Sequence, residues 1–233
     1  MVTGPFVGNN DLPMRVESRD SLSLKPAELD ELGQLLGMVG MPIPDEVLDA
    51  QVESFPLVAL TAADGDLHGF LFGSLERIGG TPCILWGVGG VRKSKQSGPV
   101  LKGLVGELYR RAAISFPDED VLVAGRVAHP ASYALFGVLR DVCPRPNYSP
   151  TGEERAWGRR LARRFRCDGT YDERAFRVKA KGSTVPVLDA RTVSGGGKRA
   201  TEMVAKAVPE KGEAVIVFGW AMAEALADGL GHR

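Results

Sequence analysis

No stretch of the 233-residue chain approaches the roughly 18 consecutive apolar residues of a membrane span, so no transmembrane helix is expected. The three cysteines, Cys83, Cys143 and Cys167, are odd in number and far apart. They fit neither a disulfide framework nor a zinc-ligand spacing, and are expected to be structural thiols rather than nucleophiles. Net charge is also absent, with 29 Lys and Arg against 29 Asp and Glu, so overall charge does not call for a nucleic-acid partner. No internal repeat is visible. The opening MVTGPFVGNNDLP lacks the basic and apolar regions of a signal peptide. Residues 1–13 therefore read as a flexible arm, and the cytoplasm is the expected location. What remains is a composition usual for a soluble globular protein, 44% hydrophobic and 25% charged, long enough to bury a sizeable core.

Neutrality hides an uneven layout. Residues 154–166 carry six arginines against one glutamate, an excess of five positive charges that the rest of the chain offsets. A second basic stretch is VRKSKQSGPVLKGL, residues 91–104. Here an apolar run ends in Val91, three cations follow (Arg92, Lys93, Lys95), and a helical pattern begins after Ser97-Gly98-Pro99. A helix start presents unpaired N–H groups and the positive end of the macrodipole, and so attracts anions. Ser97 has the character of an N-cap, and Pro99 suits a first helical turn. The stretch is either a phosphate-holding loop or a basic surface turn.

Periodicity places a strand within Met14–Leu24, helices over Lys25–Met38 and Pro44–Val52, and strands over Phe55–Leu60, Leu67–Ile78 and Pro82–Val91. Ala63-Asp64-Gly65-Asp66 is expected to turn the first hairpin. A long helix over Pro99–Phe116 puts Val100, Leu101, Leu104, Val105, Leu108 and Ala112 on one face. A strand Val121–Val127 and a helix Pro130–Leu139 follow. Beyond them come a proline-rich link (Cys143–Pro150), an arginine-rich helix (Glu153–Phe165), a strand (Ala175–Lys181), a glycine-rich connection (Val193–Gly197), a helix (Lys198–Val208) and a buried strand (Glu213–Trp220).

This order, with a basic glycine loop between the fourth strand and the third helix, resembles the GNAT superfamily of N-acetyltransferases, mainly over residues 55–140. The resemblance implies an α+β fold, with a central mixed, mostly antiparallel sheet flanked by helices. Residues 14–233 would form a single domain with a C-terminal extension and insertions at 143–174 and 182–212. In that family the fourth strand splays from the fifth, the pantetheine arm of acetyl-CoA lies in the opening, and the loop before the third helix wraps the pyrophosphate. The family's pattern, Arg/Gln-x-x-Gly-x-Gly/Ala, corresponds to Lys95-Gln96-Ser97-Gly98-Pro99-Val100. Lys95 departs from it, and Val100 stands where a small residue lets phosphate approach the backbone. The resemblance thus implies a donor site built from Val88, Lys93, Lys95, Ser97, Gly98 and Val100. A second landmark, AGRVAHPASYALFGVL (residues 124–139), resembles the family's fifth strand and fourth helix. There a Leu-Tyr pair commonly supplies the acid for the departing thiolate. Here the pair is Leu135-Phe136, so Tyr133 is the candidate acid.

The fourth strand, CILWGVGG, holds no carboxylate, so base candidates come from elsewhere. His129 follows the fifth strand and either takes a catalytic or substrate-contacting role or caps the loop; Glu76 and His68 share a face of the preceding strand. Gly87, Gly89 and Gly90 leave the fourth strand's backbone open to an oxyanion or mark a bulge. At 100° per residue, Arg155, Arg159, Arg163 and Arg166 fall on one arc of the arginine helix, extended by Arg160 and Arg164, with Trp157, Leu161 and Phe165 opposite. That face is a solvated surface, a site for the adenosine phosphate of coenzyme A, or a contact for a tRNA acceptor arm. The expected activity is acyl transfer to the amine of a small molecule. Acyl-CoA, such as acetyl-CoA, is the expected donor, aminoacyl-tRNA the alternative donor, and a non-catalytic acyl-CoA-binding module the alternative to an enzyme. No metal is expected.

Overall fold

The computed structural model describes residues 16–63, 65–179 and 184–229; the expected arm, Asp64 of the hairpin turn and the end of the strand expected at Ala175–Lys181 lie outside them. The described elements run β1 (Val16–Asp20), α1 (Pro26–Met38), α2 (Asp45–Ser54), β2 (Leu57–Ala63), β3 (Asp66–Ile78), β4 (Thr81–Val91) and α3 (Ser97–Ser115). They continue with β5 (Val121–Val127), α4 (Pro130–Ala134), β6 (Arg140–Cys143), α5 (Gly152–Arg164), β7 (Tyr171–Asp172), β8 (Arg177–Lys179), α6 (Gly197–Val204), β9 (Glu213–Ala221) and α7 (Ala223–Ala227). The strands form one sheet in the order β1-β2-β3-β4-β5-β9-β8-β7, with β6 paired to β9. Every pairing among these strands is antiparallel except β4 with β5. The α+β class and the central mixed, mostly antiparallel sheet flanked by helices expected from the sequence are the ones observed.

Alternation along the strands sorts the helices onto two faces. Gly69 and Gly73 of β3 look onto Leu104 and Leu108 of α3. Gly87 and Gly90 of β4 look the other way, onto Phe55 and onto Leu35 and Leu36 of α1. On β5 and β9 the opposed pairs Leu122↔Trp220, Ala124↔Phe218 and Arg126↔Ile216 share the second face. There Trp220 meets Trp157 of α5 edge-on, at 6.3 Å between ring centres. So α3 and α4 cover one side, and α1, α2 and α5 the other. One continuous apolar core runs from Leu32 to Leu226 across both layers.

Departures from expectation are local. The helix expected over Pro130–Leu139 ends at Ala134 and tightens into a 3-10 turn over Leu135–Val138. Gly137 weakens it, and Phe136 turns in to pack 4.6 Å from Trp86. The link expected from Cys143 is preceded by the short strand β6, held to β9 at Arg140↔Trp220 and Cys143↔Phe218. The helix expected to reach Val208 stops at Val204, ahead of Pro209.

Candidate functional site

Strands β4 and β5 are paired only over Cys83–Trp86 and Leu122–Gly125. Beyond Trp86 a bulge shifts the β3–β4 register, Leu71 opposing Gly89 but Gly73 opposing Trp86. A bulge bends its strand, and β4 leaves β5 here, opening a fork. Of the two readings of the glycines in this strand, the bulge is the one seen.

The chain fills its own fork. Gly89 N–H donates to Val187 O (3.2 Å), Asp189 N–H to Gly89 O (2.8 Å) and Leu188 N–H to Arg126 O (3.3 Å). Val88 N–H donates to the side-chain oxygen of Gln51 at 3.1 Å. The amides of Val88 and Gly89 therefore have partners within the chain. Val187 and Leu188 are each 1% exposed, and burying such side chains stabilises a fold by about 1.5–3 kcal/mol apiece. Further on, Ser132 Oγ donates to Leu188 O (2.6 Å) and Thr192 Oγ1 to Val91 O (2.6 Å). Gly196, at φ 100°, lies so close to Pro130 that a Cβ would sit 2.6 Å from its atoms. Only glycine allows that approach. Residues 185–196 thus form a strap from the fork to α4.

The basic loop is folded around Ser97. Ser97 is the first residue of α3 rather than its cap; the cap position is Gln96, without a side-chain bond. The Ser97 hydroxyl, 3% exposed, accepts from Ser94 N–H (2.8 Å) and donates to Arg92 O (2.8 Å). Tying the loop in this way engages the group expected to cap the helix. Val100 is buried against Gly69, and Val88 is fully buried. Lys93 and Lys95 are exposed and without ion pairs among the described residues. Gly98 lines a cavity of about 270 Å³ between α3 and α4, beside Leu101, Val105, Leu135 and Val193, with Lys102 as its cation. In this arrangement Val187–Asp189 occupy the fork beside Gly89, and the cavity at Gly98 has largely apolar walls.

His129 caps α4: its Nδ1 accepts from Ala131 N–H at 3.3 Å. It lines a cavity of about 300 Å³ with Asp189 and Arg191. Burial pushes its pKa below the usual 6.5, against the pull of Asp189. Asp189 pairs with Arg191 at 2.6 Å, and burial raises its pKa. The Tyr133 hydroxyl donates to Pro144 O at 2.9 Å. Glu76 lies opposite Cys83, where β4 and β5 are still paired, and is held by Arg164 (2.8 Å) and by Ser74 Oγ (2.7 Å). His68 is half-buried, and its Nδ1 has no hydrogen-bond partner among the described residues. The structure thus joins His129 to Asp189 and Arg191, and ties Glu76 to the arginine helix instead.

Helix α5 begins with a Thr151/Glu154 capping box and docks through Trp157, Leu161 and Phe165, all buried. Its arginines divide into groups. Arg164 turns inward to Glu76 and to Ser54 O (2.8 Å). Arg159 pairs with Glu173 at 2.6 Å, and Arg160 lies over the Trp157 ring at 4.9 Å. Half-buried Arg155 and exposed Arg163 and Arg166 pair with no carboxylate among the described residues. Few acidic neighbours are near in sequence, yet two of the arginines are neutralised because the fold brings Glu76 and Glu173 to them.

Sequence reasoning passed over Arg126 and Gln51. They meet in a cavity of about 460 Å³ between α2 and α5, on the face away from α3. The signal was present: an arginine inside the apolar strand VLVAGRV.

No family model matches the chain, and no curated protein matches it. Among solved structures it is similar to the aminoglycoside 6'-N-acetyltransferase from Enterococcus faecium, at 17% identity and TM-score 0.40, over 48% of this chain and 61% of that one. It is similar to a GNAT family acetyltransferase from Brucella melitensis in complex with acetyl-CoA, at 18% identity and TM-score 0.38, over 54% and 83%. It is also similar to a GNAT family N-acetyltransferase from Escherichia coli in complex with CoA, at 17% identity and TM-score 0.39, over 56% and 72%. The chain spans about three fifths of the Enterococcus enzyme, and about half of it takes part in each likeness.

Proposed function

We propose that the protein is a GNAT-like N-acyltransferase that forms an amide on a small-molecule amine, seen with its donor fork closed by residues 185–196. The observation that carries the reading is the parallel β4–β5 pair opening into a fork beside the N-terminus of α3. The donor is an acyl thioester of coenzyme A, which enters only when Val187–Asp189 leave the fork. With the strap out, the N–H of Gly89 regains a free partner position, and His129 loses the Asp189–Arg191 pair beside it. Aligning an amine with an activated carbonyl accounts for several kcal/mol of rate enhancement by itself, so the chain needs few dedicated groups. Tyr133, bonded to Pro144 O, and Glu76, bonded to Arg164, hold structural partners in the closed form.

A second reading, a non-catalytic acyl-CoA-binding module, is favoured by the complete pairing of the Val88 and Gly89 amides. The test is acetyl-CoA at millimolar concentration with a broad panel of amines. The acyltransferase reading expects thermal stabilisation and amide product. Stabilisation without product on any amine selects the binding module, and neither result rejects both. An aminoacyl-tRNA donor rests on the exposed cations of α5. It expects ribonuclease-sensitive transfer that Arg159→Glu with Arg163→Glu abolishes; transfer unchanged by that pair rejects it.

A further inference from the structure

We propose that the cavity between α2 and α5 binds a small molecule carrying a carboxylate on an apolar body, with Arg126 pairing the anion. The inference goes beyond the acyl-transfer reading and does not depend on it.

Arg126 is only 5% exposed. A buried guanidinium is costly unless ion-paired and hydrogen-bonded, yet among the described residues no carboxylate pairs with it and its Nε has no hydrogen-bond partner. Its Nη2 approaches Gln51 Oε1 at the long distance of 3.5 Å, while that oxygen is more closely engaged by Val88 N–H at 3.1 Å. On another side the Phe165 ring centre lies 4.8 Å from its central carbon. The neighbouring groups do not neutralise it. Burial raises the Cys167 thiol to about 11, so it carries no charge at neutral pH. Burial also lowers the Arg126 pKa, but only to about 10, which leaves the guanidinium charged. Arg164 is a second cation already held by Glu76. Glu46, the carboxylate lining the cavity, is exposed at its rim and makes no ion pair with Arg126.

The cavity itself describes the rest of the ligand. Its volume of about 460 Å³ is that of a small-molecule site, and Phe55, Phe165, Val47, Val185 and Pro186 make its walls largely apolar. Arg166 also lines the cavity and pairs with no carboxylate among the described residues, but it is exposed to solvent; the buried guanidinium of Arg126 calls for one negative charge, which a carboxylate supplies with two acceptor oxygens in a planar fork.

The test uses the full chain and matched neutral controls. Acetate, hexanoate, octanoate, benzoate and phenylacetate are each titrated against the corresponding amide by calorimetry and thermal unfolding, with inorganic phosphate in parallel. The expected result is at least one acid binding about tenfold or more tighter than its amide, the range of a charge-assisted pair in a buried site. That acid should also shift the Arg126 Nε–H resonance in arginine-labelled protein. Arg126→Met should abolish the preference for acid over amide. Equal affinity for acid and amide, a shift with phosphate alone, or no acid binding below about 10 mM overturns the proposal; 10 mM marks the order of the weakest useful small-ligand affinity. The acid–amide comparison and the resonance shift need no variant, so they decide the matter even if Arg126→Met does not fold.

Discussion

The fork between β4 and β5 and the cavity between α2 and α5 lie on either side of Leu188 N–H···O Arg126, a bond of 3.3 Å. The two regions balance their polar groups in opposite ways. In the fork, the backbone amides of Val88 and Gly89 are satisfied from within the chain, by Gln51 and Val187. In the cavity, a charged side chain is buried without a carboxylate partner among the described residues. Unsatisfied buried groups cost more than made bonds contribute. An occupied fork is therefore the self-sufficient region, and the cavity is the one whose chemistry a ligand would complete. A cleft that looks like a donor site by topology can be closed by the chain, while a site that topology does not announce stands open.

The sharpest way to break this comparison is to loosen the strap. Leu188→Ala should destabilise the protein by about 2–5 kcal/mol, the usual cost of truncating a well-packed buried leucine. The urea midpoint measures it. A loss under about 1 kcal/mol, too small for a packed core position, would mean that the fork is only loosely filled, and the contrast with the open cavity would fade.

Two arginines on the same face sharpen the comparison from the other side. Arg164→Met leaves Glu76 half-buried without its partner and should cost about 1–2 kcal/mol, discounted because both side chains are about a quarter exposed. Arg126→Met removes a buried charge that pairs with no carboxylate among the described residues and should leave stability unchanged or raise it by up to about 2 kcal/mol. Chemical denaturation of the two variants side by side is the measurement. If Arg126→Met proves the more damaging, the guanidinium has a counter-charge within the chain.

The smallest effect concerns pH. The folded protein holds His129 below the usual 6.5 because burial disfavours the imidazolium. The neutral form is favoured in the folded state, so its contribution is complete above pH 6.5 and is lost as pH falls through the folded value. Wild type should lose stability as pH falls below about 6.5, ahead of the range where most carboxylates titrate. His129→Asn keeps a capping acceptor for Ala131 N–H and should flatten that decline. Equal declines in the two proteins would show that His129 does not report on the strap that carries Asp189.

Most of the element order was legible in the sequence because it rests on local patterns. Val121–Val127 is an apolar run interrupted only by Arg126, and its expected bounds are the observed ones. The stripe Trp157, Leu161, Phe165 foretold which side of α5 is buried. Local signals misled where a side chain found a partner other than its usual one. Ser97 has the type and place of an N-cap, but its hydroxyl bonds back into the loop that precedes it. Arg164 sits beside a run of surface arginines, but faces Glu76, 88 residues away. The glycine-rich connection at Val193–Gly197 reads as a linker because nothing near it in sequence shows that Pro130 packs against Gly196.

The sequence by itself determined the strands, the helices and the faces they bury, since each follows from the spacing of apolar residues over a few turns or pleats. Only the tertiary structure decided the fate of the candidate sites. It placed Val187–Asp189 between two strands about 60 and 100 residues earlier in the chain, and left Arg126 buried without a counter-ion among the described residues. Whether a polar group is satisfied depends on partners brought together by the whole chain, and no local pattern contains that information.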